Sequence, residues 1–180
     1  MATIIRQLPV DEARAVVFAG QQALSVLPFQ AIVWVSVTSV RLGTIEPGTP
    51  RLPAAIDLGF NGTFAIREEQ LADWTQQSAE VFPFRRSTQL RGASCDQRLA
   101  RLWLYRNVPR QRAAAVRQPF RLDLHQGLFV MRKPAPGQFD NRPRLPLIGF
   151  RALRDAGLRV VVDCKRCHLS VQTAPRFILF

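Results

Sequence analysis

One segment of the sequence places a carboxylate among turn-forming residues: Asp57-Leu58-Gly59-Phe60-Asn61-Gly62. The apolar runs 52–56 and 63–66 flank it and predict two buried strands. Gly59 and the Asn61-Gly62 pair supply backbone conformations that other residues resist. We therefore predict Asp57 in a turn between two strands, at the mouth of a cleft, where its carboxylate can meet a substrate. An ordinary turn is the alternative, because an Asp before Gly commonly accepts hydrogen bonds from nearby backbone amides.

A second informative segment lies far downstream, at residues 145–149. It is apolar, ends in Ile148-Gly149, and leads into a predicted short helix that stops at Gly157. The sequence therefore combines a carboxylate-bearing turn with a later strand that ends in glycine before a helix.

These two segments together resemble the retropepsin-like aspartic proteases. The half-site of that family is an Asp-Thr/Ser-Gly turn, extended in bacterial members to Asp-Thr-Gly-Phe-Asn-Gly, and a later strand ends in two apolar residues and Gly before a helix. The positions that match are Asp57, Gly59, Phe60, Asn61, Gly62, Ile148 and Gly149. The resemblance covers residues 29–173 and implies a mainly β fold, a retropepsin-like barrel or sandwich with one or two short helices.

The resemblance also implies an activity, the hydrolysis of peptide bonds. One Asp57 is half of a catalytic site, which the family completes by pairing two identical chains around a water molecule. The expected partners are thus a second copy of the chain and a protein or peptide substrate, with no cofactor and no metal. Leu58 departs from the pattern, because the family has a hydroxyl residue there that hydrogen-bonds across the dimer. A non-catalytic peptide-binding or assembly module on the same fold therefore stays open.

A flap over the substrate is implied as well. Residues 87–95 and 99–107 predict strands, and a hairpin tip is expected at Gly92-Ala93-Ser94. By resemblance this hairpin would close over the cleft and exclude water. A short helix over 68–74 is predicted before it.

Three regions of the chain follow from this interpretation. Residues 1–28 are predicted to be an N-terminal strand and helix extension, with the helix over 11–27. Residues 29–173 are the retropepsin-like domain, beginning with a buried strand over 30–42. Residues 174–180 are predicted to be a C-terminal strand, and the apolar ends 2–6 and 176–180 are candidates for a dimer interface because exposed strand edges invite pairing.

The basic charge raises a third hypothesis, a nucleic-acid-binding β-protein. Lysine and arginine together number 25 against 13 acidic residues, which gives a net charge of +12. The arginines are scattered without a block of five or a one-sided helical spacing, so we disfavour nucleic acid as a partner. Residues 15–40 carry no charge, but Pro28 and several glutamines interrupt them, so we also disfavour a membrane anchor. The expected location is cytoplasmic.

The cysteines raise two further hypotheses, a haem attachment site and a zinc site. Cys164-Lys165-Arg166-Cys167-His168 has the spacing used for covalent haem attachment, but it falls in a predicted turn between strands at 160–163 and 169–171. A zinc site would need Cys95 to lie beside Cys164, Cys167 and His168. Three cysteines are too few for a disulfide framework.

Overall fold

The computed structural model describes residues 2–90 and 92–174, and within these ranges the fold is mainly β, as predicted. Two α-helices, α1 (Glu68–Thr75) and α2 (Phe150–Asp155), and a 3-10 turn (Ala79–Val81) interrupt the strands. The strands are β1 (Thr3–Pro9), β2 (Ala15–Ala19), β3 (Gln22–Val26), β4 (Ala31–Ser39), β5 (Leu52–Asp57), β6 (Phe64–Arg67), β7 (Phe84–Leu90), β8 (Ala93–Arg98), β9 (Ala100–Leu104), β10 (Phe120–Asp123), β11 (Leu128–Met131), β12 (Leu147–Gly149), β13 (Leu158–Asp163) and β14 (His168–Thr173).

Nine strands form one mixed sheet in the order β10-β9-β4-β5-β12-β6-β11-β8-β7. β12 lies in its centre, parallel to β5 and antiparallel to β6. The predicted barrel is wrong for the described residues, because the sheet ends in two separate edge strands, β10 and β7, and does not close. The central place of β12 brings the two segments singled out in the sequence into the same part of the sheet.

The N-terminal helix predicted over residues 11–27 is wrong, since this stretch forms the hairpin of β2 and β3. Gly20 has a φ of +58° in its two-residue turn, a conformation that glycine adopts at no steric cost. Val17 and Ala19 are buried whereas Val16 and Phe18 are exposed, which is a strand period of two. Because residues 15–27 carry no charged side chain, the sequence does not indicate which of them face solvent.

A separate three-stranded sheet, β1-β14-β13, joins the first strand to the last two strands of the described residues. β1 confirms a strand at the N-terminus, and it pairs with β14 of its own chain. The predicted hairpin over 160–171 is confirmed by β13 and β14. The predicted strand over 176–180 lies outside the described residues.

Two further elements match their predictions closely. The buried strand expected over 30–42 is β4, and the short helix expected over 68–74 is α1. The single strand predicted over 87–95 is wrong, because this stretch is divided between β7 and β8, with a turn at Gly92. In the described residues, no helix is long and apolar enough to span a membrane.

Candidate active site

Asp57 is the last residue of β5 and is half-buried, as expected for a carboxylate at the end of a strand. In the register of the parallel pair, Asp57 lies beside Gly149 of β12. Its Oδ1 accepts a hydrogen bond from the Gly59 amide at 3.0 Å, and its carbonyl accepts one from the Phe60 amide at 3.1 Å. The carboxylate thus stabilises the turn that follows it. An ordinary Asx turn contains the same hydrogen bond.

The turn after Asp57 is joined to the start of α2 by consecutive backbone hydrogen bonds. The Gly149 amide donates to the Thr63 carbonyl at 2.8 Å, and the Phe150 amide donates to the Phe60 carbonyl at 2.9 Å. A third bond runs from the Arg151 amide to the Gly62 carbonyl at 3.2 Å. The segments that the sequence analysis paired are therefore in direct contact, although they lie more than 80 positions apart.

Position 149 at this junction requires glycine, because no space is left for a side chain. A Cβ atom at this position would lie 2.3 Å from the Gly62 carbonyl oxygen and 2.5 Å from the Phe60 carbonyl oxygen. Its φ of −89° is open to any residue, so the constraint is the close approach and not the backbone conformation. Gly62 is constrained too, because a Cβ there would lie 2.3 Å from the Phe60 ring.

The Phe60 ring anchors the turn in the core. It is 2% exposed and meets Phe129 of β11 edge-to-face, with ring centroids 6.2 Å apart. Asn61 is exposed, and its Oδ1 accepts a hydrogen bond from Arg151 Nε at 3.1 Å. Each residue of the Phe60-Asn61-Gly62 stretch thus contributes to holding the turn against β12 and α2.

Leu58, which stands where the resembled family has a hydroxyl residue, points into solvent with 48% of its surface exposed. It lines a shallow apolar depression of about 560 Å³ together with Phe150, Leu153, Leu158 and Val160. Phe150 is itself 47% exposed. The structure therefore places an exposed apolar surface immediately beside the carboxylate.

A small cleft of about 200 Å³ opens on the other side of Asp57. Besides Asp57, its walls come from the loop between β3 and β4, from the loop before β12 and from the first residue of β12, and the residues are Leu27, Gln30, Pro143, Arg144, Leu145 and Leu147. Arg144 is held by a hydrogen bond from its Nη2 to the Ser25 carbonyl at 2.7 Å. Asp57 therefore lies at a cleft, as predicted, and the walls of this cleft are mainly apolar.

Of the flap candidates Gly92-Ala93-Ser94, Gly92 lies in the turn between β7 and β8, whereas Ala93 and Ser94 are the first residues of β8. These residues line a different cleft, of about 480 Å³, with the loop over residues 132–142. They are not among the residues that line the cleft beside Asp57. Their role as a lid over substrate stays a prediction.

A buried arginine, Arg142, was missed by the sequence analysis. Its side chain is 3% exposed and donates to both carboxylate oxygens of Glu69 at 2.9 Å. It also donates to Asp140 at 2.9 and 3.0 Å, and this hydrogen bonding lowers the pKa of Asp140 to about 2. Because Glu69 lies 73 positions away on α1, no local pattern could have revealed the pair.

Side chains from the end of β6 and the start of α1 also hold the backbone of the loop that carries Arg142. Arg67 donates to the Pro143 and Arg142 carbonyls at 2.8 and 3.0 Å, and Gln70 donates to the Arg144 carbonyl at 2.6 Å. This loop leads directly into β12. The contacts therefore fix the approach of the strand that carries Gly149.

The cysteines do not converge. Cys95 is buried in β8, and burial raises the pKa of its thiol to about 11, which makes it a poor ligand and nucleophile. Cys164 and Cys167 lie in the turn between β13 and β14, where Cys167 donates to Glu12. Over residues 2–90 and 92–174, no group of three or more His, Cys, Asp or Glu side chains could hold a metal.

No protein-family model, curated protein or solved structure matches this chain. The geometry around Asp57 is therefore the basis on which a function is inferred. That geometry consists of a carboxylate at a cleft, a turn held tightly by β12 and α2, and an exposed apolar surface beside it.

Proposed function

We propose that this chain is one subunit of a homodimeric aspartic endopeptidase in which Asp57 supplies half of the catalytic site. The observation that carries the proposal is the junction between the Asp57 turn and the Gly149 segment, built from three backbone hydrogen bonds and a close approach that excludes a Cβ atom. A turn fixed so tightly holds its carboxylate in a defined position, which catalysis requires.

The apolar surface beside Asp57 supports pairing with a second copy. Leu58 and Phe150 are about half exposed, and large exposed apolar side chains that line one depression are typical of interaction surfaces. A two-fold contact here would bring each Leu58 against the same surface of the other subunit. Because Leu58 directly follows Asp57, this contact would also bring the two carboxylates together.

The chemistry follows from two carboxylates a few ångströms apart. Like charges so close cannot both ionise easily, so the pair shares one proton. The ionised carboxylate takes a proton from a bound water, whose oxygen attacks the scissile carbonyl carbon, and the protonated carboxylate donates to the carbonyl oxygen. The C–N bond then breaks as the carboxyl that took the water proton protonates the leaving nitrogen, while a hydroxyl of the tetrahedral intermediate returns its proton to the other carboxylate. No covalent intermediate with the protein forms.

A second candidate function is a non-catalytic peptide-binding module on the same fold. The observation that favours it is Leu58 itself, which cannot make the hydrogen bond that links the two turns in the resembled family. Loss of that bond loosens the spacing of the carboxylates while leaving the mainly apolar cleft beside Asp57 available to a peptide.

Cleavage of an unfolded protein substrate between acidic and neutral pH tests the proposal. The wild-type chain is expected to cut, and Asp57→Asn is expected to abolish cutting while remaining folded. Asp73→Asn is the matched control, since Asp73 is an exposed carboxylate on α1, and it should cut as the wild type does. Peptide binding without turnover in the wild type would select the binding module. Turnover retained in Asp57→Asn would refute the catalytic role of Asp57.

A further inference from the structure

A concave basic site lies at the outer edge of the small sheet, remote in sequence from the Asp57 turn. It is a cleft of about 360 Å³ between β1 and the loop over residues 105–117. Three arginines line it, Arg6, Arg106 and Arg117, and no carboxylate does. The remaining walls are mostly apolar: Ile4, Val108, Pro109 and Ala115.

The charges of these arginines are not neutralised within the described part of the chain. Among residues 2–90 and 92–174, none of the three forms an ion pair with a carboxylate, whereas Arg67, Arg98 and Arg142 each do. Three cations that share one concave site repel each other, and that repulsion is relieved when an anion binds between them. Arginine also offers a planar fork of donors that matches the oxygens of a phosphoryl group.

Hydrogen bonds fix the backbone that forms the walls of this cleft. Asn107 is buried, accepts from the Arg6 amide at 2.7 Å, and donates to the Arg6, Val108 and Gln111 carbonyls at 2.9–3.0 Å. This one side chain ties the loop to β1. Arg106 is fixed by a hydrogen bond from its Nη1 to the Thr3 carbonyl at 2.7 Å. The cationic groups are therefore presented by backbone that is already ordered, which lowers the cost of binding.

We propose that this cleft binds the phosphoryl group of a small molecule, either free phosphate or a phosphate ester. The three arginines receive the phosphoryl oxygens, and Val108, Pro109 and Ala115 offer an apolar wall to the organic part of an ester. A nucleic-acid strand fits the observations less well, because the three arginines line a single cleft of about 360 Å³ and not an extended groove.

Calorimetric titration with phenyl phosphate and, separately, with inorganic phosphate tests this site. The wild type is expected to bind, and Arg6→Ala and Arg117→Ala are each expected to weaken binding roughly tenfold, since each removes a charge-assisted hydrogen bond. Both side chains are exposed, so these variants should keep their fold. Tighter binding of phenyl phosphate than of inorganic phosphate assigns the site to esters, and equal binding assigns it to free phosphate.

Arg159→Ala is the matched control, because Arg159 is an exposed arginine on β13 that lies outside this cleft. It removes the same charge and should leave the affinity unchanged. The proposal is overturned if neither phosphate binds at about 5 mM, or if the control weakens binding as much as the cleft variants do. An oligonucleotide that binds while both small phosphates fail would also overturn it. Peptide cleavage is a separate readout, so failure here leaves the Asp57 proposal unaffected.

Discussion

Replacing Gly149 with alanine tests the junction that holds the Asp57 turn. The new Cβ would lie 2.3 Å from the Gly62 carbonyl oxygen, 2.5 Å from the Phe60 carbonyl oxygen and 2.8 Å from Cδ1 of the Phe60 ring. Two of these neighbours are backbone atoms, which cannot rotate away as the end of a flexible side chain can. The turn and β12 must therefore separate.

The expected loss of stability can be worked out from the contacts. Forcing an extra carbon into a packed region costs about 1–3 kcal/mol. Separation also weakens the three backbone hydrogen bonds from residues 149–151, each contributing about 1 kcal/mol. Because the chain can relax partly, we expect a total loss of about 3 kcal/mol, which lowers the melting temperature by about 6–12 °C in a domain of this size.

Denaturant and thermal unfolding of Gly149→Ala measure this loss. Gly43→Ala is the matched control, because a Cβ there meets nothing within 4 Å and the backbone has no positive φ. The control should change the free energy of unfolding by less than about 0.5 kcal/mol. A Gly149→Ala variant as stable as the control would refute the close approach between β12 and the turn after Asp57. It would also refute the inference that this contact fixes the position of Asp57.

Three further predictions concern the loop before β12 and the apolar surface. Arg142→Met should lower the free energy of unfolding by about 2–3 kcal/mol, because it leaves carboxylates without their buried partner, and denaturant unfolding measures this. The pKa of Asp140 is lowered from 3.8 to about 2, so the stabilisation that its ionised form provides is complete above about pH 5 and is lost as the pH falls towards 2. The free energies of unfolding of the wild type and of Asp140→Asn, measured from pH 5 to pH 2, should therefore become equal at low pH. Leu58→Glu should yield a monomer by sedimentation, whereas Leu42→Glu, an equal change at another exposed leucine, should not.

The alternation and turn signals of the sequence predicted most of the strands near the candidate site. β5 and β6 are apolar runs on either side of a turn rich in glycine and asparagine, and β12 is an apolar run that ends at Gly149. Their types and order follow from local residue preferences. Their contact does not, and only the resemblance to a known family suggested that the turn and β12 belong together.

Features that depend on distant partners escaped the sequence analysis. Arg142 lies in a loop whose local pattern is that of exposed residues, yet it is buried because Glu69 and Asp140 satisfy its charge. The β2–β3 hairpin differs from the predicted helix because a stretch without charges does not indicate which of its residues face solvent. The open edges of the main sheet are likewise set by long-range pairing, which no single segment encodes.

The central claim is that each catalytic site needs Asp57 from two subunits, and mixed dimers test it most directly. Wild-type and Asp57→Asn chains are allowed to exchange subunits in equal amounts at constant total concentration, and peptide cleavage is measured. If both carboxylates are required, only about one quarter of the dimers are active, and the rate falls to about one quarter of the wild-type rate. A rate of about one half would show that each subunit acts alone and would contradict the shared site.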